Sequence, residues 1–221
     1  MNIVLFGASG MVGQGVLREC LRDERVTSVT AVGRSPLGLA HPKLREIVHR
    51  DFADFSALAD DFKAADACLF CLGVSSAGMD EAAYRAITYD TTLAAARALP
   101  QSPSFTFIYV SGEGTDSTER GRRMWARVKG RTENALLALP FRAFMFRPAY
   151  IQPVHGVISR TAWVRWLYAA LSGLYPLLRR LMPKHVTTTE NIGRAMLAVA
   201  AGRWTRGPIL HSPEINHAAE R

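Results

Sequence analysis

The fold is decided by residues 2–13, Asn2-Ile3-Val4-Leu5-Phe6-Gly7-Ala8-Ser9-Gly10-Met11-Val12-Gly13. Asn2–Phe6 is a short apolar run and predicts a strand. Beyond the glycines, Val16, Leu17, Cys20 and Leu21 share one face of Gly15–Arg22, which predicts a helix. A strand, a glycine loop and a helix in that order are the setting of a dinucleotide-binding fingerprint. Gly7 permits the tight turn, Gly10 lets backbone approach a pyrophosphate, and Gly13 lets the helix pack close to the strand. The helix start then turns unpaired N–H groups and a positive dipole end toward the phosphates. The expected cradle is Gly7, Ser9, Gly10, Met11, Val12 and Gly13, with the Ser9 hydroxyl as an extra donor. The spacing G-x-x-G-x-x-G differs from the commoner G-x-G-x-x-G, so the loop alone also admits a glycine-rich turn in another α/β protein. Its place at the end of the first strand favours the nucleotide reading.

Outward from this loop, short apolar runs alternate with longer amphipathic stretches. Strands are expected at Thr27–Gly33, Leu44–Arg50, Ala67–Gly73, Phe105–Ser111 and Ala143–Arg147, and helices at Phe55–Ala64, Asp80–Ala98 and Thr118–Leu139. Such alternation predicts an α/β fold of the Rossmann type, a doubly wound parallel sheet with right-handed crossovers. Ala67–Gly73 is almost wholly apolar, as a strand covered on both faces should be. The pattern is less regular after Pro148. Residues 152–190 are expected to form a small substrate-side cap or an interface, before a helix at Glu190–Ala201 and a short strand at Ile209–Ser212. The whole chain, 1–221, reads as one domain.

The residue that meets the adenosine ribose lies about twenty positions past the glycines, and NAD sites place Asp or Glu there. Here the second strand ends Ala31-Val32-Gly33-Arg34-Ser35, with no carboxylate. Arg34 offers a planar fork of donors that matches a phosphate, and Ser35 stands beside it. NADP(H) is therefore the expected coenzyme, with a solvated strand-end arginine as the bland alternative. Asp51 and Phe52 close the third strand and could face the adenine, or could equally be a turn residue and a core ring.

The composition sets outer bounds. The chain has 221 residues, a formal net charge of +8, and a hydrophobic fraction of 48%. The pI is about 9.9 and the mean hydropathy +0.03. These values fit a globular chain whose charge favours anionic partners without choosing among them. No nucleic-acid motif accompanies the charge, so no nucleic-acid partner is expected. The three cysteines argue against a disulfide framework. Met1 leads straight into the first strand, so no signal peptide is expected and cytoplasmic location is the default. The six histidines are scattered, and no metal-ligand spacing occurs. Ala162–Met182 is the most apolar stretch, but Arg165, Arg179, Arg180 and Pro176 interrupt it. It reads as a cap or dimer face rather than a membrane span, with docking on a membrane surface a weaker alternative. A small-molecule substrate is expected, and monomer and homodimer both remain open.

Several separated motifs together resemble the short-chain dehydrogenase/reductase superfamily. The resemblance is nearest its atypical branch, with the HIV Tat-interactive-protein oxidoreductase and bacterial NAD(P)H-binding epimerase-like proteins. The carriers are residues 7–13, Val32-Gly33-Arg34, Cys71-Leu72-Gly73, Tyr109-Val110-Ser111, Lys129-Gly130-Arg131-Thr132-Glu133 and Arg147-Pro148-Ala149. The resemblance implies that Cys71, Leu72 and Gly73 lie against the cofactor, and that Pro148, Ala149 and Ile151 line the nicotinamide. It implies that Ser111 orients a substrate. Lys129 would bond the nicotinamide ribose and lower the pKa of a tyrosine that donates the proton. That tyrosine belongs four residues before the lysine, where this chain has Trp125. An i, i+4 pair shares a helix face, so Trp125 stands beside Lys129. Its indole N–H does not titrate in water and cannot deliver a proton. A reductase or epimerase-like enzyme must then draw its proton elsewhere, with Tyr150, Glu113 or His155 as candidates. The alternative is a non-catalytic NADPH-sensing or scaffold protein.

Two further features carry less weight. Cys68 and Cys71 are spaced like a redox pair, but strand residues three apart face opposite sides. The stretch from Arg120 to Arg131 is strongly basic. As a helix it would place Arg120, Arg123, Arg127 and Arg131 on one solvated side, and Arg122, Trp125 and Lys129 on another facing an anionic substrate.

Overall fold

A computed structural model describes residues 1–157 and 183–221. Its strands are β1 (Asn2–Phe6), β2 (Ser28–Gly33), β3 (Leu44–Val48), β4 (Ala67–Phe70), β5 (Thr106–Val110), β6 (Arg142–Arg147), β7 (Tyr150–Gln152), β8 (Val186–Thr188) and β9 (Ile209–His211). Its helices are α1 (Met11–Arg22), α2 (Ala59–Phe62), α3 (Glu81–Arg85), α4 (Thr91–Ala98), α5 (Met124–Leu137), α6 (Thr189–Ala200) and α7 (Ser212–Ala219). Among the described residues, seven strands form one sheet in the order β3-β2-β1-β4-β5-β6-β9, and every pairing is parallel. The chain winds outward from β1 to β3, then crosses back to β4 and winds the other way. This is the doubly wound Rossmann architecture, with its switch point between β1 and β4. β7 and β8 form a separate parallel pair.

Alternation along the central strands builds two cores. Ile3, Leu5, Leu69 and Ile108 face α1, α6 and α7 through Val16, Ile192 and Ile215. Val4, Phe6, Phe70 and Phe107 face the other way, onto Phe62 of α2, Ala95 of α4 and Leu136 of α5. Because both faces are covered, the strands read as continuous apolar runs. Cys68 falls in the second core and Cys71 packs against the first, so the two thiols face opposite sides of the sheet. Burial pushes the pKa of both thiols up.

Some boundaries differ from the sequence reading, for local reasons. α1 begins at Met11 rather than Gly15, directly at the glycine loop. Phe55–Ala64 is only a 3-10 turn, Ser56–Leu58, followed by α2, because Asp54 ties back the Ser56 N–H and hydroxyl. Of Asp80–Ala98, Asp80 is the N-cap and the chain is helical from Glu81 on, with a π-turn at Ala86–Asp90 joining α3 to α4. α5 begins at Met124 rather than Thr118. Asp116 accepts from the N–H groups of Thr118 and Gly121, and Glu119 sits at φ 60°, so the chain turns there instead of coiling. Arg120, Arg122 and Arg123 therefore precede the helix, and the proposed two-sided basic helix is not formed. Within α5, Arg127 pairs with Glu81 and Arg131 with Glu119. α7 was not anticipated, although Ser212-Pro213-Glu214 is a start signal: Glu214 accepts from the His211 N–H. Ala162–Met182, most of the expected cap, lies outside the described residues.

Candidate nucleotide and active site

The glycine loop lies where the ends of β1 and β4 meet. Gly7 has φ 80°, and a Cβ there would stand 2.7 Å from the backbone of Cys71 and Leu72. A Cβ on Gly13 would lie 2.0 Å from the Gly7 carbonyl oxygen, so only glycine lets α1 approach the loop this closely. At Gly10 a Cβ would meet only the Gly7 oxygen, at 3.3 Å, and would otherwise project into the open space before the loop. Among the described residues, no side chain caps the start of α1, and its first turn carries no acidic residue. The opening N–H groups, those of Met11 and Val12 among them, are thus left for a ligand. The residues present fit a pyrophosphate: bare backbone, a helix start, and the Ser9 hydroxyl alongside.

Toward β2 the loop opens into a cleft of about 210 Å³, lined among others by Gly7, Ser9, Arg34, Ser35, Phe52 and Leu72. Arg34 is exposed at the strand end, with its guanidinium carbon 6.0 Å from the centre of the Phe52 ring. That contact holds a cation at the rim with its donors free to turn inward. Phe52 faces the cleft. Asp51 does not line it: β3 ends at Val48, and the Asp51 carboxylate accepts from the Ala53 N–H at 2.9 Å. Sequence reasoning missed Glu46, a carboxylate that lines the same cleft and accepts from the Leu37 N–H at 2.6 Å. Its place between Leu44 and Val48 on one strand face gave no hint of that position, because the turn that reaches it is nine residues away.

Across the sheet, α5 is pinned to the ends of β5 and β6 by a buried polar knot. Glu133 is fully buried and holds Arg147 through two N–H bonds. Arg147 also donates to the Ser117 hydroxyl. Ser111, only 3% exposed, has its hydroxyl within reach of Glu133 and of the Phe146 carbonyl. The expected substrate-orienting serine is therefore turned into the core, where it braces α5, because the Glu133 carboxylate needs a donor there. Lys129 donates to the Ser111 carbonyl oxygen. Burial lowers its pKa to about 8, against the opposing pull of the Glu133 charge. A Cβ on Gly112 would stand 3.8 Å from Lys129 Nζ and 3.9 Å from the Pro148 oxygen, so both groups border Gly112. The Trp125 ring, half-buried, closes the next stretch, within 3.3 Å of a Cβ placed on Gly114.

The remaining candidates stand around the same strand ends. The Pro148 carbonyl accepts from the Glu113 N–H at 2.9 Å, and the Ala149 N–H donates to the Ser212 hydroxyl at 3.1 Å. Ile151 lies in β7. Cys71 donates its N–H to the Phe6 carbonyl, and a Cβ on Gly73 would meet nothing within 4 Å. Of the three suggested proton donors, the Tyr150 hydroxyl donates to Gln152 at 2.8 Å, and His155 pairs with Glu190 at 2.6 Å. Glu113 pairs with His211 at 2.8 Å.

Known proteins resemble this chain along most of its length. A family model described as NAD(P)H-binding matches residues 7–138. Leucinostatins biosynthesis cluster protein T of Purpureocillium lilacinum is 24% identical over 239 residues, covering 92% of this chain and 87% of that protein. Protein HTATIP2 of Rattus norvegicus is 26% identical over 154 residues, covering 68% of this chain and 62% of that protein. Among solved structures, yeast methylglyoxal/isovaleraldehyde reductase Gre2 complexed with NADPH superposes with a TM-score of 0.68 at 14% identity. The match covers 96% of this chain and 77% of that one.

Proposed function

The chain belongs to the NAD(P)H-binding family, within the atypical short-chain dehydrogenase/reductases, and we propose that it binds NADP(H) and reduces a small carbonyl compound. The observation that carries this reading is the cleft at the β1–β4 switch point, with a bare helix start on one side and Arg34 on its rim. Bound NADPH would supply a hydride. The protein's own groups divide the remaining work. Gly7, Ser9, Gly10, Met11, Val12 and Gly13 receive the pyrophosphate, and Arg34 with Ser35 takes the 2′-phosphate. Phe52 and Leu72 flank the adenosine. Cys71, Gly73, Pro148, Ala149 and Ile151 border the nicotinamide side, where Lys129 meets the ribose.

One charge-assisted bond from Arg34 to the phosphate is worth about 1.5–3 kcal/mol. NADPH should therefore bind roughly 10- to 100-fold more tightly than NADH, and Arg34→Ala should erase most of that difference. Glu46 lowers the expected ratio, since its carboxylate shares the cleft. Titration calorimetry with both coenzymes decides the matter: equal affinities in the wild type would refute the NADP assignment. A second reading rests on Trp125, whose indole fills the family's tyrosine position with a group that gives up no proton. On that reading the chain binds NADPH without turnover, as a sensor or scaffold. Coenzyme binding without oxidation across a panel of quinones and carbonyls would favour it, and an epimerase-like activity is the remaining catalytic variant.

A further inference from the structure

We propose that His211, oriented by Glu113, holds the proton that the substrate oxygen receives, in place of the tyrosine this chain lacks. The inference rests on the reductase reading and names its missing acid. His211 ends β9 and Glu113 follows β5, 98 residues apart in sequence. Their side chains meet at 2.8 Å between Nδ1 and a carboxylate oxygen. A carboxylate only accepts, so Nδ1 carries a hydrogen and Nε2 is the nitrogen left to exchange a proton. The same arrangement fixes tautomer and ring direction wherever a carboxylate backs a working imidazole.

The pair spans the end of β6 at the carboxyl edge of the sheet, where ligands of open α/β sheets bind. His211 pairs in register with Arg147, and the Glu113 N–H donates to the Pro148 carbonyl. Lys129 Nζ would lie 3.8 Å from a Cβ on Gly112, the residue before Glu113, and donates to the Ser111 carbonyl. Trp125 packs against Gly114, on the other side of Glu113. Glu113 thus sits in a short loop, 112–114, that both Lys129 and Trp125 of α5 approach. Both side chains remain more than 40% exposed, so they can reach a substrate. Among the described residues, the charged neighbours are Glu214 of α7, which accepts from the His211 N–H, and Arg147, whose guanidinium is turned inward to Glu133. By contrast, His155 backs onto Glu190, which Arg194 also holds, and the Tyr150 hydroxyl bonds Gln152.

In the step, the carbonyl carbon gains a hydride from the reduced nicotinamide, and the oxygen takes the proton on Nε2. The C=O π bond becomes one C–H and one O–H bond. The carbonyl is reduced by two electrons, the coenzyme is oxidised by two, and neutral His211 recovers its proton from water.

The test combines binding, spectroscopy and turnover on the full chain. Calorimetry with NADPH first asks whether coenzyme binds, and absence of heat overturns the reductase reading itself. Given binding, the ring 15N resonances of His211 should move on saturation with NADPH. Unmoved resonances place the dyad away from the nicotinamide and overturn this inference alone, whether or not a substrate is known. Where a carbonyl is reduced, His211→Gln should leave the NADPH dissociation constant within about twofold and cut kcat by at least ~100-fold, the usual worth of a general acid. Glu113→Gln, which keeps the shape, should cost about tenfold in kcat and displace the pH profile. A His211→Gln protein that folds, binds NADPH and retains kcat within threefold of wild type overturns the proposal.

Discussion

Replacing Lys129 by Met removes a charge that its surroundings disfavour, and the cost of that charge should be readable as a pH-dependent stability. Burial lowers the Lys129 pKa from 10.5 to about 8. A fall of that size corresponds to roughly 3 kcal/mol. The side chain is only half-buried, and solvent screening trims the figure to about 1–2 kcal/mol. Because the folded pKa is the lower one, the unfolded chain binds a proton between pH 8 and 10.5 that the folded chain has released. The penalty is thus complete below pH 8 and fades as the pH rises through this window. Cys20, Cys68, Cys71 and Tyr109 act in the opposite sense. Burial raises their pKa values, so the stability they lend is lost as the pH passes their unfolded values of 9 and 10. The wild-type curve alone mixes these slopes, whereas the difference between wild type and Lys129→Met isolates the lysine. Losing the bond to the Ser111 carbonyl costs the variant about 1 kcal/mol at every pH. The stability of Lys129→Met relative to wild type should therefore decline by about 1–2 kcal/mol between pH 7.5 and 10.5. Urea titrations followed by tryptophan fluorescence give the difference. A flat difference over that range would show that Lys129 keeps an ordinary proton affinity and that the floor of the site is wet.

Two further predictions concern the frame that holds the site. Glu133→Leu leaves the Arg147 guanidinium buried without its partner and should cost about 3–5 kcal/mol, whereas adding Arg147→Met should recover most of the loss. Equal stabilities for the single and double variants, measured in urea, would show that the pair is not coupled. Gly130→Ala would put a Cβ 1.8 Å from the Asp116 carbonyl oxygen, so the 112–123 loop must move, at a cost of about 1–3 kcal/mol. Gly73→Ala meets nothing within 4 Å and serves as the neutral control in the same thermal melts.

The parts of this molecule that could be read from the sequence are those enforced by local backbone geometry. Gly7 and Gly13 are needed because two loop backbones and a helix pass within contact of one another, and that need shows as spacing along a few residues. The period-two burial of Ile3 and Leu5 against Val4 and Phe6 likewise sits in one strand. The start of α5 was misplaced because Asp116 accepts from N–H groups as far on as Gly121, which a helical periodicity does not register. Ser111 could be singled out from the Tyr109-Val110-Ser111 motif, yet its orientation depends on Glu133, 22 residues later, and on the carbonyl of Phe146. Glu46 reaches the cleft only because the 34–37 turn folds back onto β3.

On the proposed reading Trp125 stands where the family has its tyrosine, and that reading bears on how far a motif constrains chemistry. The helix that should carry that tyrosine keeps its lysine, its close glycine and its buried glutamate, and these fix where α5 lies against the sheet. None of them requires that residue 125 be a phenol. The positioning machinery can therefore persist while the acid changes, provided another titratable group reaches the same strand ends. Parallel winding makes this easy, because the carboxyl ends of β4, β5, β6 and β9 all open on one edge of the sheet. A residue from any of these loops is a few ångströms from its neighbours there, however distant in sequence. Glu113 and His211 meet in this way, so the identity of residue 125 is an argument about that helix face and not about the edge as a whole.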